Sequence, residues 1–182
     1  VNTAGLAATD DEVAGALIEG AAKLADELDV RYLELRHETK WTHPRFTHQQ
    51  TEKVHMRLSL PKTSDELWKQ LTPKVRNQIR KGEKQDFEVR WGGPEQCGDF
   101  YKVFCRNMRD LGTPVFSRHL FEAILEQFPQ QAEICPLHAD EKPVATALLV
   151  HAPHVTQVPS ASALREFNSK NANMFLYWQL LC

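Results

Sequence analysis

Ala132-Glu-Ile-Cys-Pro-Leu-His138, Ala139-Asp-Glu-Lys142 and Val144-Ala-Thr-Ala-Leu-Leu-Val-His151 stand almost end to end, and Val155-Thr-Gln-Val-Pro-Ser160 follows Ala152-Pro153. Short runs rich in β-branched and apolar residues, separated by polar or proline turns, read as three successive strands. This β-meander sets the fold class, and the neighbouring segments read outward from it.

Upstream, Phe87-Glu-Val-Arg-Trp91 predicts a short strand stopped by Gly92-Gly93-Pro94. Two helices are predicted between that strand and the meander. The first, about 95–111, places Phe100, Val103, Phe104, Met108 and Leu111 inward and ends at Gly112. The second starts after Ser117 and carries Leu120, Ile124, Leu125 and Phe128 up to Pro129. Downstream, residues 161–172 are polar, and a last helix begins near Asn171 or Asn173 with Phe175, Leu176, Trp178 and Leu180.

Leu71-Thr-Pro-Lys-Val-Arg-Asn-Gln-Ile-Arg-Lys-Gly-Glu-Lys84 predicts a helix over 72–85 with a marked start. Thr72 can cap it, and Pro73 suits the first helical position, where a missing N–H costs nothing. Val75 and Ile79 form one apolar stripe. The remainder is cationic: Lys74, Arg76, Arg80, Lys81 and Lys84 stand against Glu83. Such a helix in a chain of net charge -2 points to an anionic partner, or else to a solvated face. Thr63 with Glu66 forms a capping box that opens a shorter helix with Leu67, Trp68 and Leu71.

Nearer the N-terminus, Thr9 with Glu12 reads as another capping box. The helix it opens runs to about Leu28, with Val13, Leu17, Ile18, Ala21, Leu24, Ala25 and Leu28 on one face. Val30–Arg36 and Val54–Leu60 alternate and are predicted as strands, with a polar crossing over 37–52 between them. A boundary is expected near Leu60–Ser64.

A 182-residue chain with 42% hydrophobic and 25% charged residues fits a soluble globular protein. No apolar run approaches the roughly 20 residues of a membrane span. No basic region followed by an apolar core opens the chain, so a cytoplasmic location is expected. Cys97, Cys105, Cys135 and Cys182 lack CxxC spacing and read as reduced thiols. His37, His43 and His48 lie in a loop without ligand spacing, and no metal is expected. The chain stops on Leu-Leu-Cys182 inside a predicted helix, so a truncation is expected, with exposed apolar surface at both ends.

From Phe87 onward, strand, helix, helix, three strands and helix resemble the first half of a GNAT-superfamily acyltransferase domain. Residues 10–60 resemble the closing half of such a domain. Tandem GNAT-like units are the plan of the FemAB-type aminoacyltransferases. Leu67-Trp68 with Lys74-x-Arg76-Asn77-x-Ile79-Arg80-Lys81-x-x-Lys84 resembles the segment that opens the second FemAB unit. Phe100-Tyr101, Gly112-Thr-Pro-Val-Phe-Ser117, Pro143-Val-Ala-Thr-Ala147 and Asn173-Met-Phe-Leu-Tyr-Trp178 are similar to successive marks along it. Tyr32-Leu-Glu-Leu-Arg-His37 resembles a strand of the FemAB-like proteins associated with exosortase/PEP-CTERM systems.

The resemblance implies an α/β (α+β, mixed-sheet) architecture of two incomplete GNAT-like units, residues 1–60 and 61–182. It implies an acyltransferase that moves an aminoacyl or other acyl group to an amine of a cell-wall (peptidoglycan) or cell-surface precursor. The exosortase-associated relatives serve exopolysaccharide or surface-protein systems. The acyl donor would be an aminoacyl-tRNA or an acyl-CoA, with no tightly bound cofactor. An anionic small molecule or precursor is the expected partner, aminoacyl-tRNA a further one, and DNA is not. Acetyl-CoA-binding GNATs carry a glycine-containing pyrophosphate loop after the fourth strand. Here Leu164-Arg-Glu-Phe-Asn-Ser-Lys-Asn-Ala-Asn173 has no glycine, which favours the FemAB reading over a simple acetyltransferase.

Aminoacyl transfer needs a neutral amine, a stabilised oxyanion and a grip on anionic substrates. Arg76 and Arg80, one helical turn apart, suit a bidentate grip, with Lys81 and Lys84 as point charges. Arg165, Ser169, Lys170 and Asn171 stand before the last helix, whose free N–H groups suit a second anion. His119 and Glu34 are the candidate bases. A non-catalytic anion- or RNA-binding module using Lys74–Lys84, and an acetyl-CoA-dependent acetyltransferase, are the alternatives. His151 and His154 flank the Ala152-Pro153 turn and read as turn residues, and Phe100, Tyr101, Phe104, Phe116 and Phe121 as core.

Overall fold

A computed structural model describes residues 4–37, 40–52, 54 and 56–182. The chain divides into two compact units, Val1–Leu58 and Ser59–Cys182.

In the first unit, helix α1 spans Asp11–Glu27. Its cap is Asp10, whose carboxylate accepts from the Val13 N–H at 2.9 Å, so the helix starts one residue later than a Thr9 capping box requires. The Thr9 hydroxyl instead donates to Asp10. Ala14, Ile18 and Ala22 form the buried stripe at four-residue spacing, while Val13, Leu17, Leu24 and Leu28 are exposed. The predicted strands Val30–Arg36 and Val54–Leu60 form no ladder among the described residues, and His55 lies outside those residues. Only an isolated antiparallel bridge joins Ala4 and Arg36 there. Alternation supplies a pleated face, but a strand also needs a neighbour to take its N–H and C=O groups. Tyr32 (73% exposed) and Met56 (84%) show how little packs on these segments.

The second unit opens with α2 (Ser64–Gln70) and the cationic helix α3 (Pro73–Glu83). Both caps are as the sequence predicts: Thr63 accepts from the Glu66 N–H, and Thr72 from the Val75 N–H. Strand β1 (Phe87–Val89) follows, shorter than predicted, then a 3-10 turn (Pro94–Gln96) and helices α4 (Cys97–Leu111) and α5 (Arg118–Gln127). Gly112 closes α4 at φ 69°, the left-handed cap glycine adopts without strain. Strands β2 (Ala132–Ala139), β3 (Lys142–Ala152) and β4 (Val155–Ala163) complete the sheet, and helix α6 spans Ala172–Leu181.

The sheet is antiparallel throughout, in the order β1-β2-β3-β4. Asp140 and Glu141, both at positive φ, make the two-residue turn between β2 and β3, the geometry that matches strand twist. Both faces of the sheet are covered, which explains the nearly unbroken burial of β2 and β3. Ala132, Ile134 and Leu148 pack with Phe100 and Phe104 of α4 and Phe121 and Leu125 of α5. Cys135, Leu137, Ala145, Ala147 and Leu149 pack on the opposite face with Ala172 and Leu176 of α6.

The buried face of α5 departs from expectation at Leu120 and Phe128. Phe121 and Leu125 are inside, whereas Leu120 and Phe128 are exposed. The Phe121 ring decides this by meeting Phe100 edge-on at 4.8 Å and Phe104 at 5.1 Å. Phe116, expected in the core, is 66% exposed in the α4–α5 loop.

Candidate functional site

The end of β4 leads into the segment on which the sequence places the second anion grip. The Leu164 N–H donates to the Val144 carbonyl, which holds the chain against β3 as the strand ends. A 3-10 segment, Arg165–Lys170, follows. Asn171 then adopts a left-handed conformation (φ 57°, ψ 33°) and turns the chain into α6, whose first turn has no side-chain cap. The opening N–H groups of α6 thus have no side-chain acceptor. Arg165 is committed elsewhere. Its guanidinium donates at 2.7 Å to the Asp110 carbonyl at the end of α4, a bond favoured by the negative pole of that helix. The Lys170 ammonium lies 5.2 Å from the centre of the Phe167 ring. Ser169 and Lys170 are exposed, and the Asn171 amide reaches the Ser169 carbonyl.

Helix α3 meets this segment at its C-terminal end. Gly82 is buried against α6, and a Cβ there would lie 2.6 Å from Phe175 Cβ and 3.3 Å from the Asn171 carbonyl. The approach of Gly82 to Asn171 brings the C-terminal end of α3 near the segment before α6, the two places at which the sequence suggests an anion grip. Arg80 lies with its guanidinium 5.3 Å over the Trp68 ring, and Trp68 meets Trp178 of α6 edge-on at 5.0 Å. Among the described residues, none of Lys74, Arg76, Arg80, Lys81 and Lys84 has a carboxylate partner.

Residues 69–182 match the family described as an Acetyltransferase (GNAT) domain. The chain belongs to that family. A crystal structure of FemX superposes with a TM-score of 0.60 at 12% identity, covering 66% of this chain and 47% of FemX. The chain thus spans about half the length of FemX. A ribosomal-protein-alanine N-acetyltransferase from Brucella melitensis biovar Abortus 2308 aligns at 13% identity over 53% of this chain and 70% of its own, with a TM-score of 0.41. No curated protein matches. The α/β, GNAT-like fold expected from the sequence is the one the chain adopts.

In the GNAT domain, His119 stands exposed in the first turn of α5. Glu34 lies outside it, in the first unit, ion-paired to Arg36 at 2.7 Å. Three polar contacts of the GNAT domain have no counterpart in sequence spacing. Asp99 of α4 bonds the buried His138 of β2 at 2.9 Å and Lys102 at 2.7 Å. Burial alone would raise the Asp99 carboxyl, but the bonds from Lys102 and His138 outweigh it and hold it below its ordinary value. Asn107 of α4 donates to Ser162 of β4 at 3.2 Å, directly across from Thr146, whose buried hydroxyl has no partner among the described residues. His151, expected in a turn, lies in β3 between Glu133 and Thr156, 2.9 Å from each. The Asp99–Lys102 pair is local to α4, but the contacts of His138, Ser162 and His151 depend on strand register, which is visible only once the strands pair.

Among the described residues, no cluster of three or more His, Cys, Asp or Glu side chains could hold a metal, and no helix is long and apolar enough to cross a membrane.

Proposed function

We propose that the chain is part of a FemAB-type acyltransferase, which transfers an aminoacyl or other acyl group to an amine of a cell-wall or cell-surface precursor. The observation that carries this reading is the superposition on FemX over 66% of the chain, joined to the glycine-free segment Leu164–Asn173. The first unit would be the closing half of one GNAT-like unit, residues 1–60, and residues 61–182 the opening part of a second. The sequence Tyr32–His37, although it forms no ladder among the described residues, supports a place among the exosortase-associated relatives.

In this reading the amine, once deprotonated, attacks the acyl carbonyl, and the leaving group departs as the tetrahedral intermediate collapses. Arg76, Arg80, Lys81 and Lys84 of α3, with Ser169, Lys170 and Asn171, hold anionic parts of the substrates. Arg165 keeps the loop in place through Asp110. His119 is the better base candidate, being exposed within the GNAT domain, whereas Glu34 is bound to Arg36. The uncapped start of α6 favours a second reading, an acetyl-CoA-dependent N-acetyltransferase with the pyrophosphate on those N–H groups.

The test is equilibrium binding to acetyl-CoA, an aminoacyl-tRNA and a UDP-linked peptidoglycan precursor. Saturable binding of the tRNA or precursor, weakened at least tenfold by Arg80→Ala, supports the FemAB reading. Saturable acetyl-CoA binding alone selects the acetyltransferase.

A further inference from the structure

We infer that the outer face of α3, with Trp68 and Trp178, is a binding site for a single nucleic-acid strand. Val75, Ile79 and Gly82 turn inward, so Lys74, Arg76, Arg80 and Lys81, with Lys84 at the C-cap, lie on the opposite side of the helix, Arg76 half-buried and the others exposed. Arginines elsewhere are largely neutralised in place: Arg36, Arg45, Arg90, Arg106 and Arg118 each pair with a carboxylate. The α3 cations do not, and together they leave a concentrated positive field.

Their spacing selects the ligand. Arg76, Arg80 and Lys84 follow at four-residue steps, a rise of about 6 Å each. That ladder covers about 12 Å, more than one phosphate reaches, and suits successive phosphates of a strand. The sequence 71–84 contains no aromatic residue, but the fold brings two to it. Trp68 lies beneath Arg80, and Trp178 lies against Trp68. Arg80 is exposed and its Cζ lies 5.3 Å over the Trp68 ring, a cation–π contact that leaves guanidinium N–H groups for a phosphate. Cations beside partly exposed indoles are what strand-binding surfaces combine. A membrane surface fits less well, because the apolar stripe of α3 already packs inside the unit.

The site does not depend on which acyl donor the domain uses. Only where that donor is an aminoacyl-tRNA does it deepen the proposed function, and unacylated probes keep the two apart. The experiment is fluorescence anisotropy of the full chain with a labelled single-stranded oligoribonucleotide and a matched oligodeoxyribonucleotide. Saturable binding is expected, about 20-fold weaker at about 200 mM than at about 50 mM salt for three phosphates. The tighter of the two probes identifies the sugar. Arg76→Ala and Lys84→Ala should each reduce that salt dependence by about 2.5-fold. Arg80→Lys, which keeps the charge and loses the planar guanidinium fork, should weaken binding with an unchanged circular dichroism spectrum. No saturable binding at the lower salt would overturn the inference. So would unchanged binding by a Lys81→Glu, Arg76→Ala double variant, or equally tight binding of inorganic polyphosphate of matched charge.

Discussion

Gly82 of α3 and Phe175 of α6 are in backbone-level contact: a Cβ on Gly82 would fall 2.6 Å from the Phe175 Cβ. Real Cβ atoms do not approach so closely, and the atom opposed is the root of a side chain, which cannot swing away. Gly82→Ala would gain up to about 1 kcal/mol of helix propensity. Overpacking of about 1–3 kcal/mol opposes that gain. We expect net destabilisation, read as a lower midpoint in urea unfolding with an unchanged slope. A rise in the midpoint would show that α3 and α6 are not pressed together at this crossing.

Asp99 predicts an acid limit to stability. Its carboxyl titrates below the ordinary value of 3.8 because Lys102 and His138 outweigh the effect of burial. The folded state therefore prefers the ionised form. The stabilisation is complete above the unfolded value and is lost as the pH falls through the lower, folded one. Asp99→Asn should flatten the stability–pH profile below about pH 4. At neutral pH it should cost about 1–3 kcal/mol, since His138 is buried and keeps no other side-chain bond. Chemical unfolding at a series of pH values measures both effects. An unchanged acid slope would show that Asp99 and His138 do not interact in solution.

The meander and the start of α3 are legible in the sequence because each rests on local chemistry: turn residues that break strands, and Thr72 with Pro73 at a helix start. The segments around Tyr32 and Met56 alternate just as well but find no partner strand among the described residues, and alternation cannot report that. In α5, apolar residues at positions 120, 121, 124, 125 and 128 fit two faces one residue apart, and the aromatic contacts of Phe121 choose between them. The cations of α3 were visible as a group, but the indole platform was not. Trp178 is 98 residues beyond Arg80 in sequence and joins the platform through Trp68, on a helix that Gly82 allows to lie close to α3. Asp99 and His138, 39 residues apart, meet for the same kind of reason.

The cysteines provide a labelling test of the packing order. Cys135 is fully buried beneath α6, and burial pushes its thiol up to about 12. Burial also raises Cys97, which is 0% exposed. Cys182 is exposed. Partial burial and Glu83 raise the Cys182 thiol as well, so its lead rests on access: Cys182 should react before Cys97 and Cys135, and those two only on unfolding. Mass spectrometry of the time course assigns each site. Modification of Cys135 in the native protein would mean that α6 does not cover the sheet as described.

Arg165 separates a positioning role from direct contact with ligand. Its bond to the Asp110 carbonyl joins the segment before α6 to the end of α4, 55 residues away in sequence. Arg165→Ala removes a charge-assisted bond at an exposed site, a loss of about 1 kcal/mol. The larger effect should be local. Amide hydrogen exchange over residues 164–171 should accelerate in the ligand-free protein, because that segment loses its tie to α4. If the start of α6 binds the acyl donor's anion, KM for the donor should rise while kcat stays near its original value, since the reacting groups are untouched. Loss of donor binding without faster exchange would mean instead that Arg165 leaves Asp110 and grips the donor itself.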